Sequence, residues 1–188
     1  MRVGSLYRQA WLYLLESKNA IGLVVALFAC SIFIGFAFSS YFTYFDEVLR
    51  DIFDETEGLS AFALIVYIFA NNFQSSLSGM LFGVVLGLFP LAATILNGTL
   101  LGYVLHLSWS VSGIQEFWRL LPHGVFELPA VFISLGLGIR LGMFVFEKQR
   151  LQALAYRLHR GLLVFILIVV PLLIVAAIIE GILIAIEV

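Results

Sequence analysis

The chain has 188 residues, 62% of them hydrophobic and only 12% charged, with a formal net charge of -2 and a mean hydropathy of +1.09. Soluble domains carry about 25% charged residues, so one water-soluble core cannot hide this much apolar surface, and nothing in the charge balance points to nucleic acid. A single cysteine, Cys30, excludes an internal disulfide and any multi-cysteine metal site.

The apolar runs are unbroken, as over residues 161–179, and do not alternate in polarity. In lipid that pattern selects helices over a closed barrel. The expected class is therefore all-α: a polytopic membrane helix bundle of about five transmembrane helices, forming one integral membrane domain over residues 1–188. In chain order, residues 6–17 carry Leu6, Tyr7, Trp11, Leu14 and Leu15 at helical spacing. They predict an amphipathic helix within residues 1–18 that lies on the membrane surface. The bundle then occupies residues 20–187. Its first span, 20–42, lacks a small-residue cleavage pattern and reads as a retained anchor. An acidic linker follows over 46–57, with Arg50 its only basic residue. A short second span covers 59–73. Asn71, Asn72, Gln74, Ser75 and Ser76 predict a tight, uncharged turn. The third span, 77–106, is long for one helix and is interrupted by Pro90. Residues 108–121 form an amphipathic stretch whose Trp109 and Trp118 suit an interface. A fourth span covers 122–146, a basic connector 147–160, and a fifth span 161–186. Residues 71–79 and 97–121 are the two places where the chain could dip in and back instead of crossing.

Lysine and arginine set the orientation. With the N-terminus in the cytoplasm, Arg2, Arg8, Lys18, Lys148, Arg150, Arg157 and Arg160 lie inside, and only Arg50 and Arg119 lie outside. The expectation is a multi-pass protein of the plasma or inner membrane, N-terminus in and C-terminus out. Arg140, near the inner end of span four, is expected to snorkel.

Two series of small residues recur every fourth position: Ser75, Gly79, Gly83 and Gly87, and Ala130, Ser134, Gly138 and Gly142. That spacing keeps them on one helix face, where small residues let backbones approach. Packing within the chain is the simpler expectation, and a homo-oligomer is the alternative. Pro90, Pro129 and Pro171 free the carbonyls of Leu86, Val125 and Leu167, which predicts kinks or, more specifically, backbone groups able to coordinate an ion.

Ionisable residues inside spans are functional candidates by default. In Pro122-His123-Gly124-Val125-Phe126-Glu127, Pro122 fits a first helical position, and His123 and Glu127 stand four apart on one face. They either orient the start of the helix or form a proton or cation site. Asn97, beside Gly98, and Glu180 fall in the same outer half of the membrane. The candidate intramembrane polar site is therefore His123, Glu127, Asn97 and Glu180. His123 and Glu127 are conceivable metal ligands, but two are too few without help. No nucleophile–base pair or two-histidine zinc motif is present, so no enzyme and no cofactor is expected.

The order of these features resembles the stage II sporulation protein M family. Asn71-Asn72 comes first, then Gly79, Gly83 and Gly87, then Asn97-Gly98 with Gly102, then Pro122-His123-Gly124 with Glu127 and Pro129. The Pro-His-Gly-x-x-Glu element after Asn-Gly is the specific part. The resemblance implies a compact five-helix membrane protein. It also implies an anchor or scaffold for a partner complex, since the sporulation member holds peptidoglycan hydrolases at the membrane during engulfment without being the hydrolase. Similar proteins occur in organisms that neither sporulate nor make peptidoglycan. Two functions follow: a scaffold for a membrane or extracytoplasmic protein, or a small cation or proton channel or transporter built on the Asn/His/Glu cluster.

Overall fold

The computed structural model describes residues 3–112 and 117–187, with side chains described over 4–110 and 124–183. Among the described residues every regular element is helical. Helix α1 (Val3–Glu16) is followed by α2 (Lys18–Ala37), α3 (Phe45–Thr56), α4 (Ala61–Leu81), α5 (Leu88–Ser112) and α6 (Phe117–Gly142). Helix α7 (Arg150–Val164) then runs through a π-helical segment, Phe165–Val169, into α8 (Val170–Glu187).

Among the described residues, four helical stretches are long and apolar enough to cross a membrane: Lys18–Ala37, Leu88–Ser110, Gly124–Phe146 and Arg150–Leu183. The chain is thus a helical membrane protein. Helix α4 has 21 residues, but Asn71, Asn72 and Gln74 dilute its apolar character. Packed pairs give the helix directions. Phe28 meets Phe132, with centroids 5.0 Å apart, and Gly136 lies against Ile21, so α2 and α6 are antiparallel. Phe73 meets Phe165 at 5.5 Å and Gly181 lies against Ile65, so α4 and α8 are antiparallel. Gly98 sits on Phe28 and Gly102 on Ile32, so α2 and α5 are parallel. Gly79 meets Leu135 and Gly83 meets Gly138, which makes α4 and α6 parallel. Helices α2, α5 and α8 therefore run one way, and α4 and α6 the other.

Lipid gives helices no hydrophobic reason to associate, so close van der Waals contact must hold them. The glycines supply it. A Cβ on Gly83 would overlap the Gly138 backbone, and one on Gly102 would overlap the carbonyl of Ile32. The glycines of the two series pack against one another's segments within the chain. Gly83 and Gly87 lie outside α4, however, in the turn that follows it, so one series is not a single helix face.

Other expectations change. Asn71–Ser76 is not a turn but the interior of α4. No glycine or proline interrupts residues 71–76, and Asn71, Asn72 and Ser75 line a cavity. The turn comes later, over 82–87, so residues 77–106 are not one span broken by proline. Pro90 is the third residue of α5, where a missing N–H costs nothing. The acidic linker is helix α3, with Asp46 and Glu47 in its first turn, where the dipole favours carboxylates. The basic connector is largely α7, continuous with the last apolar helix. Pro171 follows the π segment, whose wider turn accommodates the lost bond. Pro129 lies inside an unbroken α6.

Helix α1 packs on α7, burying Ala10 and Tyr13 while Trp11, Leu12 and Leu15 stay exposed. Arg140 does not merely snorkel. It bonds Glu16 at 2.7 Å and stacks over the Tyr13 ring at 4.5 Å. Burial raises the Tyr13 phenol above its usual range, and the nearby Arg140 charge opposes that rise. Arg157 bridges Glu147 at 2.6 Å and the Arg140 carbonyl at 2.8 Å, and Arg160 donates to Gln9. One end of the bundle is thus laced by arginine.

Candidate functional site

Helices α4 and α5 make few direct contacts, and the gap between them is a cavity of about 430 Å³. Its lining comes from α4 (Asn71, Asn72, Ser75), α5 (Asn97, Leu101), α6 (Gly124, Glu127) and α8 (Glu180), with Phe28 of α2 behind and Leu49 of α3 at one end. Each polar residue arrives by helical periodicity. Asn71, Asn72 and Ser75 stand at i, i+1 and i+4, which gathers them on one side of α4. Asn97 is stationed by the close contact of the neighbouring Gly98 with Phe28 and Ser31. Glu127 lies one turn along α6 from His123, and Gly124, between them, keeps the wall open.

Of the sequence-predicted cluster, Asn97, Glu127 and Glu180 share this cavity. The side chains of His123 and Pro122 lie outside the described residues, although both belong to α6. Asn71 and Asn72, expected in a turn between the second and third spans, share the cavity as well. Their i, i+1, i+4 relation with Ser75 is the signal that could have placed them. Leu49 had no signal in the sequence. Gly79, Gly138 and Gly142 are packing residues, as are Gly98 and Gly102. Gly87 serves the turn with φ +70°, and Pro129 is exposed on α6.

Chemically, two carboxyl groups and three amides on one cavity offer oxygen acceptors to a small cation, and the carboxyls can also take and release a proton. Among the described residues no three His, Cys, Asp or Glu side chains come together as a metal would require. Apolar Phe28, Leu101, Leu128 and Val131 complete the wall, so polar groups are confined to a few points, as in small-ligand sites generally.

Comparison with known proteins gives one clear result. No curated protein and no solved structure matches the chain. The family described as Stage II sporulation protein M matches residues 24–183, a stretch that includes every residue lining the cavity. The chain belongs to the stage II sporulation protein M family.

Proposed function

We propose that the protein is a five-span plasma-membrane protein, N-terminus in the cytoplasm and C-terminus outside, that takes a small cation, foremost a proton, into its central cavity and passes it across the bilayer. The observation that carries this reading is the meeting of Asn71, Asn72, Asn97, Glu127 and Glu180 on one cavity inside apolar helices. A polar group within hydrocarbon costs several kcal/mol when unpaired, and ionisable groups there mark ion and proton pathways. Helix α4 adds one span to the four apolar ones, and its asparagines line the cavity, which explains its lower hydropathy. The arginine-laced end, with Arg140, Arg157 and Arg160, is the cytoplasmic end by the positive-inside rule. No catalytic activity of its own is part of this reading.

The test is flux in proteoliposomes of the purified chain under proton, sodium and potassium gradients. Flux above empty vesicles is expected, with Glu127→Gln or Glu180→Gln lowering it at least about tenfold, the scale of one lost charge-assisted bond. Absence of flux under every gradient overturns it. A second reading, an anchor for an extracytoplasmic partner, is favoured by family membership and by the exposed acidic residues of α3, Glu47, Asp51 and Asp54 among them. Partner capture abolished by reversing those charges, with the cavity intact, would support it.

A further inference from the structure

Away from the cavity, a groove of about 560 Å³ runs along α2 from the corner where α1 ends. Leu14 and Leu15 of α1 and Ile133 of α6 form its sides. Its floor is one stripe of α2, because Lys18, Gly22, Val25 and Ala29 stand at i, i+4, i+7 and i+11. Lys18 is the one polar side chain that lines the groove, and it stands at the end of the stripe. A different face of α2, with Val24, Phe28, Ser31 and Gly35, is buried in the bundle.

Gly22 is unlike the glycines that hold the bundle together. A Cβ on Gly35, Gly98 or Gly136 would meet the backbone of a neighbouring helix, whereas one on Gly22 would meet nothing within 4 Å. The small residues of this stripe therefore do not bring two helices of the chain together. They leave a channel open along an exposed side of α2. Its length is that of one leaflet. Eleven residues from Lys18 to Ala29 rise about 16 Å at about 1.5 Å each, and half of a hydrocarbon core of about 30 Å is about 15 Å.

Charge is matched to one end of this channel. Residues 1–18 and 140–160 contain two carboxylate side chains, Glu16 and Glu147, and Arg140 and Arg157 engage both. Arg8, Lys18, Lys148 and Arg150 are exposed and make no ion pair among the described residues. The mouth of the groove is thus positive and its length apolar.

We propose that this groove binds one anionic phospholipid, with an acyl chain laid along Gly22, Val25 and Ala29 and the phosphate on Lys18. In the orientation proposed above, the lipid belongs to the cytoplasmic leaflet, whose anionic headgroups attract basic segments. An ammonium pairs with phosphate as a point charge, so the site selects net headgroup charge over headgroup shape. Trp11, one turn before Leu15 on α1 and 56% exposed, supplies the indole usual at headgroup depth. The bound lipid touches α1, α2 and α6 together and braces the surface helix against the bundle.

Lipid retention tests it. The chain is reconstituted in vesicles of equal parts dioleoyl phosphatidylglycerol and dioleoyl phosphatidylcholine, extracted in mild detergent and weighed by native mass spectrometry. Retention of phosphatidylglycerol in preference to phosphatidylcholine is expected. Lys18→Gln should lower that preference about fivefold, one basic residue's worth at an anionic surface. Lys148→Gln, at the same end but outside the groove, should change it far less. Gly22→Leu places a side chain where a Cβ meets nothing within 4 Å, so it should lower retention of both lipids with thermal unfolding unchanged. Equal retention of the two lipids, or a preference that Lys18→Gln does not move, overturns the inference. So does a Gly22→Leu variant that splits a dimer into monomers at an unchanged lipid count, because the groove then seats a second copy of the chain.

Discussion

Leu86 has φ 56° and Gly87 φ 70°, and Leu86 is the one non-glycine residue with positive φ among those described. A left-handed backbone costs an ordinary residue about 1–2 kcal/mol, and the Leu86 side chain, 55% exposed, recovers little of it by burial within the chain. The Gly87 N–H closes the turn on the Gly83 carbonyl at 2.7 Å, which fixes the reversal between α4 and α5. Leu86→Gly should therefore stabilise the protein by about 0.5–1 kcal/mol, while Gly87→Ala should destabilise it by about 1–2 kcal/mol. A Cβ at Gly87 would also crowd Ile139 Cα at 3.3 Å. Thermal unfolding in detergent checks both signs. The spacing of Gly79, Gly83 and Gly87 suggested one continuous helix face. A four-residue repeat alone cannot distinguish a packing glycine from one required by positive φ.

At the scale of elements, α3 is tied at both ends. The Tyr103 hydroxyl of α5 donates to Asp46 at 2.7 Å, and the Tyr67 hydroxyl of α4 donates to Glu55 at 2.6 Å. The two tyrosines belong to the helices that flank the cavity, and Leu49 between the two carboxylates lines it. Phe45 buries the start of α3 against Tyr103, with centroids 5.8 Å apart. Replacing both tyrosines by Phe should leave the bundle folded but loosen α3. Amide exchange across Phe45–Thr56 should accelerate several-fold, since each bond contributes about 1 kcal/mol net. Exchange in α6 and α8 should not change. Acidic composition marked this stretch as an outer linker and hid its helix. Its anchors are phenols 12 and 57 residues away in sequence.

At the scale of the whole molecule, the alternation of helix directions makes a topological prediction. A reporter inserted after residue 58 should report the outside and one inserted after residue 86 the cytoplasm, because α4 lies between them and runs opposite to α2 and α5. Selective labelling in intact cells and inverted vesicles checks it, and both sites on one side would remove α4 from the set of spans. Exposed apolar and cavity-lining residues share α4: Phe62 and Val66 are exposed, while Asn72 and Ser75 line the cavity. Mean hydropathy sums over both faces and so undervalues such a helix.

The sequence by itself determined the solvent of this protein, its helical class, its family and the intramembrane polar residues worth attention. These follow from composition and local spacing, because a helix in lipid satisfies its own backbone and its side chains can be read one face at a time. Only the tertiary structure decided that Asn71 and Asn72 line the same cavity as Asn97, Glu127 and Glu180, and that the chain reverses at Leu86–Gly87. It alone set Gly22, which borders an open groove, apart from the glycines that pack on a neighbouring backbone. The physical reason is the same in each case. Whether a polar side chain ends a helix, bonds back to it or faces water depends on how closely the next helix approaches, and that distance is set by glycines far away in the chain.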